Sequence, residues 1–114
     1  MHPFIEAKLP EIKGLCRRYG VARLELFGSG ARDDFDPGRS DVDLLVEFGI
    51  SPAGMALTER HFGLLSELEA CLGCRVDLIA RRAIRNRRFL PAIQADLHCL
   101  HEAPGHNKLL TPDG

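Results

Sequence analysis

Apolar residues recur at helical spacing early in the chain: Leu9, Ile12, Leu15, Cys16 and Tyr19 mark one stripe. Pro10 suits the first turn of that helix and Gly20 its end. The pattern then changes period. Val21 to Phe27 alternates and predicts a strand, which Gly28-Ser29-Gly30 interrupts, with a short helix following through Phe35. Asp36-Pro37-Gly38 is a turn signal, and Asp41 to Phe48, rich in Val and Leu, predicts a second strand. After a loop at Pro52 and Gly54, the residues Phe62, Leu65, Leu68 and Leu72 predict the apolar stripe of a longer helix ended by Gly73. Arg75 to Ala80 predicts a third short strand. Leu90, Ile93, Leu97 and Leu100, with Pro91 near the start, predict a last amphipathic helix. The segment from Ala103 to Gly114 has no period and predicts a loose tail. The expected architecture is α/β (α+β): a small mixed sheet of about three strands flanked by helices, formed by one domain over residues 1–102.

Composition narrows the function. A chain of 114 residues fits one domain, and its 45% hydrophobic and 27% charged residues are an ordinary globular balance. The net charge of −1 supplies no global basic field for nucleic acid, and the absence of Trp argues against a base-stacking platform. No apolar stretch is long enough to span a bilayer and no secretion signal stands at the N-terminus, so the expectation is a cytoplasmic protein. Cys16, Cys71, Cys74 and Cys99 are then expected to be reduced. Cys71-x2-Cys74 followed by His98-x2-His101 resembles a zinc pattern, but the gap is too long and the histidine pair one residue too close, so packing is the preferred reading.

The segment with chemistry in it runs from Leu26 to Val46. Asp41 and Asp43 are two apart on a strand, so their side chains share one face. Two carboxylates there repel each other, and a hard divalent cation removes that cost. Asp77 lies between Val76 and Leu78 on the third strand, where an acid needs a partner that the same cation would supply. Gly28 lets the backbone approach a ligand closely, a helix start beyond it offers free N–H groups, and Ser29 adds a hydroxyl. Singly, each feature also fits a plain turn or a solvated strand face. In joint order they put a phosphate loop and three acids on neighbouring strands, the equipment for displacement at phosphorus.

The joined motif Leu26-Phe-Gly-Ser … Ser40-Asp-Val-Asp-Leu-Leu-Val resembles the signature of the MNT family, the minimal nucleotidyltransferases of the DNA polymerase beta superfamily. The resemblance covers roughly residues 9 to 100. It implies ATP phosphates held at Gly28 and Ser29, and Mg²⁺, as two ions, held by Asp41, Asp43 and Asp77, with Asp77 helping to deprotonate the attacking hydroxyl. Two departures fall in the loop before the second strand: Ala31-Arg32-Asp33 replaces Ala-Arg-Gly, and eleven residues separate Ser29 from Asp41. Arg32 is read as structural. The run Arg81, Arg82, Arg85, Arg87 and Arg88 is read as a solvated helix start, with a contact to a partner or to RNA phosphates as the sharper alternative.

A chain of 114 residues is expected to leave no room for a domain holding an acceptor. The resemblance implies a solution: such proteins serve as antitoxins that move AMP from ATP onto a tyrosine of a partner HEPN-domain ribonuclease toxin. The alternatives are an antitoxin acting by binding alone, or a transferase acting on RNA or a small molecule, with a homo-oligomer as the way to build an acceptor site.

Overall fold

A computed structural model describes residues 2–28, 36, 41–51, 54–83 and 97–103. Ser29, the helix expected through Phe35, positions Leu90 and Ile93 of the expected last helix, and the tail beyond Ala103 lie outside the described residues.

Helix α1 is a single turn, Pro3–Glu6, and α2 follows over Leu9–Arg18 with Pro10 in its first turn. Ile12 and Cys16, four apart, are fully buried beneath α2, with Leu9, Leu15 and Tyr19 packed around them. Gly20 has φ 67°, the left-handed conformation that lets the chain turn directly into β1, Val21–Phe27.

Strand β2 is Val42–Phe48, helix α3 is Leu57–Leu72 and strand β3 is Val76–Ala80. Gly73, at φ 68°, ends α3 as expected. The buried row of α3 differs from expectation: it is Arg60, Leu64, Leu68 and Leu72, while Phe62 is 64% exposed. Residue 62 lies two positions, about 200° of helical rotation, from Leu64, so it faces outward.

Among the described residues the sheet has four strands, in the order β3-β2-β1-β4, rather than about three. Strand β1 pairs antiparallel with β2 and β4, and β2 pairs parallel with β3. β4, His98–Glu102, occupies part of the expected last helix, and Leu100 reaches the core as a strand residue. One face of the sheet carries Leu24, Leu26, Val42, Leu44, Val46, Val76, Leu78 and Leu100, which join Ile12, Cys16, Leu64 and Leu68 in a single core. Strand alternation sends the intervening residues to the opposite face, and the acids of interest lie there. Among the described residues no helix is long and apolar enough to cross a membrane.

Candidate active site

Asp43 and Asp77 are directly aligned partners of β2 and β3. Aligned neighbours stand on the same face, and adjacent strands lie about 4.8 Å apart. Their flanking residues confirm the face: Val42, Leu44, Val76 and Leu78 are buried in the core, whereas Asp43 is half-buried and Asp77 exposed. The hydrophobic packing of alternate residues therefore fixes two carboxylates side by side on the other face.

On its opposite side Asp43 is aligned with Phe27, the last residue of β1. Gly28 follows at φ 72°, and a side chain placed there would run into Asp43 Oδ2 and come within 3.2 Å of Asp43 Cγ. The backbone at the end of β1 is thus pressed against one of the two carboxylates.

Asp41 precedes β2 and is exposed. The Val42 N–H donates to Arg75 O at 2.9 Å, which binds the start of β2 to the approach of β3. Asp41 makes itself felt at Cys74, whose thiol is pushed above its ordinary pKa by burial first and then by the charges of Asp41 and Glu69. The structure thus brings Asp43 and Asp77 together, with Asp41 at the same end of the two strands. Among the described residues, no three His, Cys, Asp or Glu side chains gather as a group that could hold a metal ion.

The donor set nevertheless fits Mg²⁺. That ion takes oxygen ligands and commonly binds through one or two carboxylates, completing its octahedron with water and substrate phosphates. Asp43 and Asp77 would supply those carboxylates, with Asp41 beside them. The absence of a side chain at Gly28 is what admits the Asp43 carboxylate, so the end of β1 and the two acids lie together.

Two features of the same sheet face escape a reading by motif. Glu25, only 4% exposed, is bonded by Arg81, the first member of the basic run. Arg81 therefore turns inward from a 3-10 turn, Arg81–Ala83, whereas Arg82 is exposed. The polar positions Arg23 and Glu25 in an otherwise apolar strand were the available signal. The four cysteines are all free thiols, with Cys16 fully buried and Cys99 exposed.

The family model described as nucleotidyltransferase domain matches residues 11–99. A protein of Methanocaldococcus jannaschii, provisionally named protein adenylyltransferase MJ0128, is 36% identical over 85 residues, which are 75% of this chain and 82% of that one. A solved structure provisionally described as a minimal nucleotidyltransferase superposes with a TM-score of 0.66 at 33% identity, covering 82% of this chain and 90% of the other. A chain in the structure of a tri-AMPylated Shewanella oneidensis HEPN toxin in complex with MNT antitoxin superposes with a TM-score of 0.60, covering 91% of this chain and 77% of its own, and its 19% identity makes this a likeness of fold.

Proposed function

This chain belongs to the nucleotidyltransferase domain family, and we propose that it is a protein adenylyltransferase antitoxin that moves AMP from ATP to a tyrosine of a partner HEPN toxin. The observation that carries the proposal is the alignment of Asp43 with Asp77 beside the bare backbone of Gly28. The 36% identity to an adenylyltransferase-named relative supports AMP as the transferred group. The fold shared with the HEPN–MNT complex supports a protein acceptor.

In this reading residues 1–102 form the transferase unit. Gly28 and Ser29 receive the triphosphate. Asp41, Asp43 and Asp77 hold Mg²⁺, which when bound neutralises charge on the phosphates. Asp77, exposed at the side of the pair away from Gly28, faces the entering acceptor and takes the proton of its hydroxyl. The acceptor oxygen bonds to the α-phosphorus as the bond to pyrophosphate breaks, a displacement that depends mainly on positioning and charge. The chain acts in the cytoplasm, and its acceptor is supplied by the partner.

The test is intact-mass analysis of the partner toxin after incubation with ATP and Mg²⁺, using wild type and Asp43→Asn. Wild type should add AMP, and the variant should bind the partner without adding it. Inhibition of the toxin by both proteins with no added mass would establish the rival reading, an antitoxin acting by contact.

A further inference from the structure

The face that carries Asp43 and Asp77 also carries a ladder of charge crossing all four strands. Arg81, immediately after β3, donates to Glu25 on β1, and its Nε lies 3.7 Å from Glu47 Oε1 on β2. Glu25 Oε2 lies 3.3 Å from Arg23 Nε, a charge contact because that N–H makes no hydrogen bond. Arg23 Nη1 donates to Glu102 Oε2 on β4 at 2.9 Å. Since β2 separates β3 from β1, the Arg81 side chain must pass over β2 to reach Glu25. A carboxylate as buried as Glu25 requires charged partners, and Arg81 and Arg23 provide them.

Strand β3 needs such a tie. It has five residues and, among the described residues, lies at the edge of the sheet and pairs only with β2, in the parallel arrangement. Parallel pairing is slightly weaker per residue than antiparallel, and a one-residue slip would carry Asp77 to the core face. Its start is fastened twice. Arg75 O accepts from Val42 N–H, and the Val76 N–H donates to Glu69 Oε2 at 3.1 Å. N–H groups alternate between the two edges of a strand, so Glu69 binds β3 on the edge away from β2. Its far end is fastened by Arg81, the residue after Ala80.

We infer that the Arg81–Glu25 ion pair is a positioning device for the transfer reaction, holding edge strand β3 in register so that Asp77 stays beside Asp43. Arg81 and Glu25 act through Asp77 and touch neither nucleotide nor acceptor. The inference rests on the reading that Asp43 and Asp77 share a metal, and it does not depend on which acceptor is used.

The experiment measures Mn²⁺ affinity of the protein alone, by paramagnetic resonance of the free ion, for wild type, Arg81→Gln, Glu25→Gln and Leu68→Ala, each well below its melting temperature. Loss of groups that orient ligands weakens metal affinity by about 10–100-fold, and both charge variants should fall near the lower end, about tenfold. Leu68→Ala removes a fully buried side chain from the core face of the sheet, opposite the ladder, so it should lower the melting temperature with Mn²⁺ affinity unchanged. Should Arg81→Gln fail to fold, Arg81→Lys keeps the charge but loses the fork of donors and should show a smaller rise in Kd. Lower melting temperatures with unaltered Mn²⁺ affinity would make the pair a structural tie only and overturn the inference. Equal weakening by Leu68→Ala, or no Mn²⁺ binding by wild type, would overturn it as well. A partner toxin that gains no AMP while the charge variants still lose Mn²⁺ would instead defeat the proposed acceptor and leave the inference standing.

Discussion

Gly28 stands so close to the carboxylate of Asp43 that position 28 has no room for a Cβ. Its φ of 72° adds a second constraint, because an L-residue in the left-handed region costs about 1–2 kcal/mol. Gly28→Ala should therefore lower stability by about that amount in denaturant melts. It should lower adenylyl transfer further, because Asp43 must move to admit the methyl group. Displacing a reacting or positioning group by about an ångström costs on the order of a hundredfold in rate. Initial rates at saturating ATP check the second part. Full activity in a destabilised variant would show that Asp43 is not needed where it stands.

Arg60 holds together the end of the sheet remote from Gly28. It is 4% exposed, its Nε donates to Tyr19 O at 2.9 Å, and its Nη2 donates to Gly20 O at 2.7 Å and Gly49 O at 3.1 Å. Its guanidinium also lies 4.8 Å from the centroid of the Phe48 ring. Arg60→Leu should destabilise the protein by about 2–3 kcal/mol, the cost of leaving buried acceptors undonated. Arg60→Lys should recover only part of that, since a lysine cannot reproduce the planar fork. Denaturant midpoints of the three proteins decide this, and equal stability of the Lys variant and wild type would reduce Arg60 to a simple charge.

His101 gives the fold an acid sensitivity. Burial, above all, holds it below the ordinary histidine pKa; a backbone hydrogen bond with Val21 opposes this, and the charges of Arg17 and Lys13 reinforce it. The unfolded chain then takes up a proton near pH 6.5 that the folded chain refuses. The stability this histidine contributes is complete above that pH and is lost as pH falls from about 6.5 toward its lower folded value. His101→Gln should therefore flatten the decline in unfolding free energy between pH 7.5 and 5.5. An unchanged slope would mean that other groups carry the acid sensitivity.

The three strands that build the candidate site were legible because each encodes its own face. Val42, Leu44 and Val46 flank or alternate with Asp43, and Val76 and Leu78 bracket Asp77, so local period put both acids within strands, while the packing of those apolar residues decides which face is the core. The fourth strand was not legible. Leu97 and Leu100 continue the spacing of Leu90 and Ile93, and a helical reading follows from any such window. Yet His98–Glu102 contains only one large apolar residue, and its conformation comes from pairing with β1 some seventy residues earlier. The inward turn of Arg81 was hidden for a related reason. Arg81 resembles its basic neighbours in sequence, and its role comes from a contact with Glu25, a residue 56 positions away. Phe62 shows the reverse error, since hydrophobicity alone put it in the stripe of α3 that Leu64 occupies.

Asp77 and Asp43 should fail differently when altered. Asp43 is half-buried between β1 and β3, aligned with Phe27 on one side and Asp77 on the other, and close to the Gly28 backbone where the phosphates are proposed to lie. Asp77 is exposed on the edge strand, the side from which an acceptor can enter. Asparagine is nearly isosteric with aspartate but cannot take a proton and brings no charge to a metal. Asp43→Asn should therefore weaken both nucleotide binding in Mg²⁺ and transfer. Asp77→Asn should spare most nucleotide binding and lower the transfer rate by about a hundredfold or more, the usual contribution of a general base. Calorimetric ATP affinities together with single-turnover transfer rates separate the two roles. If Asp77→Asn loses nucleotide affinity as heavily as Asp43→Asn and keeps its transfer rate once ATP is saturating, Asp77 serves as a metal ligand alone and the proton of the acceptor hydroxyl leaves by another route.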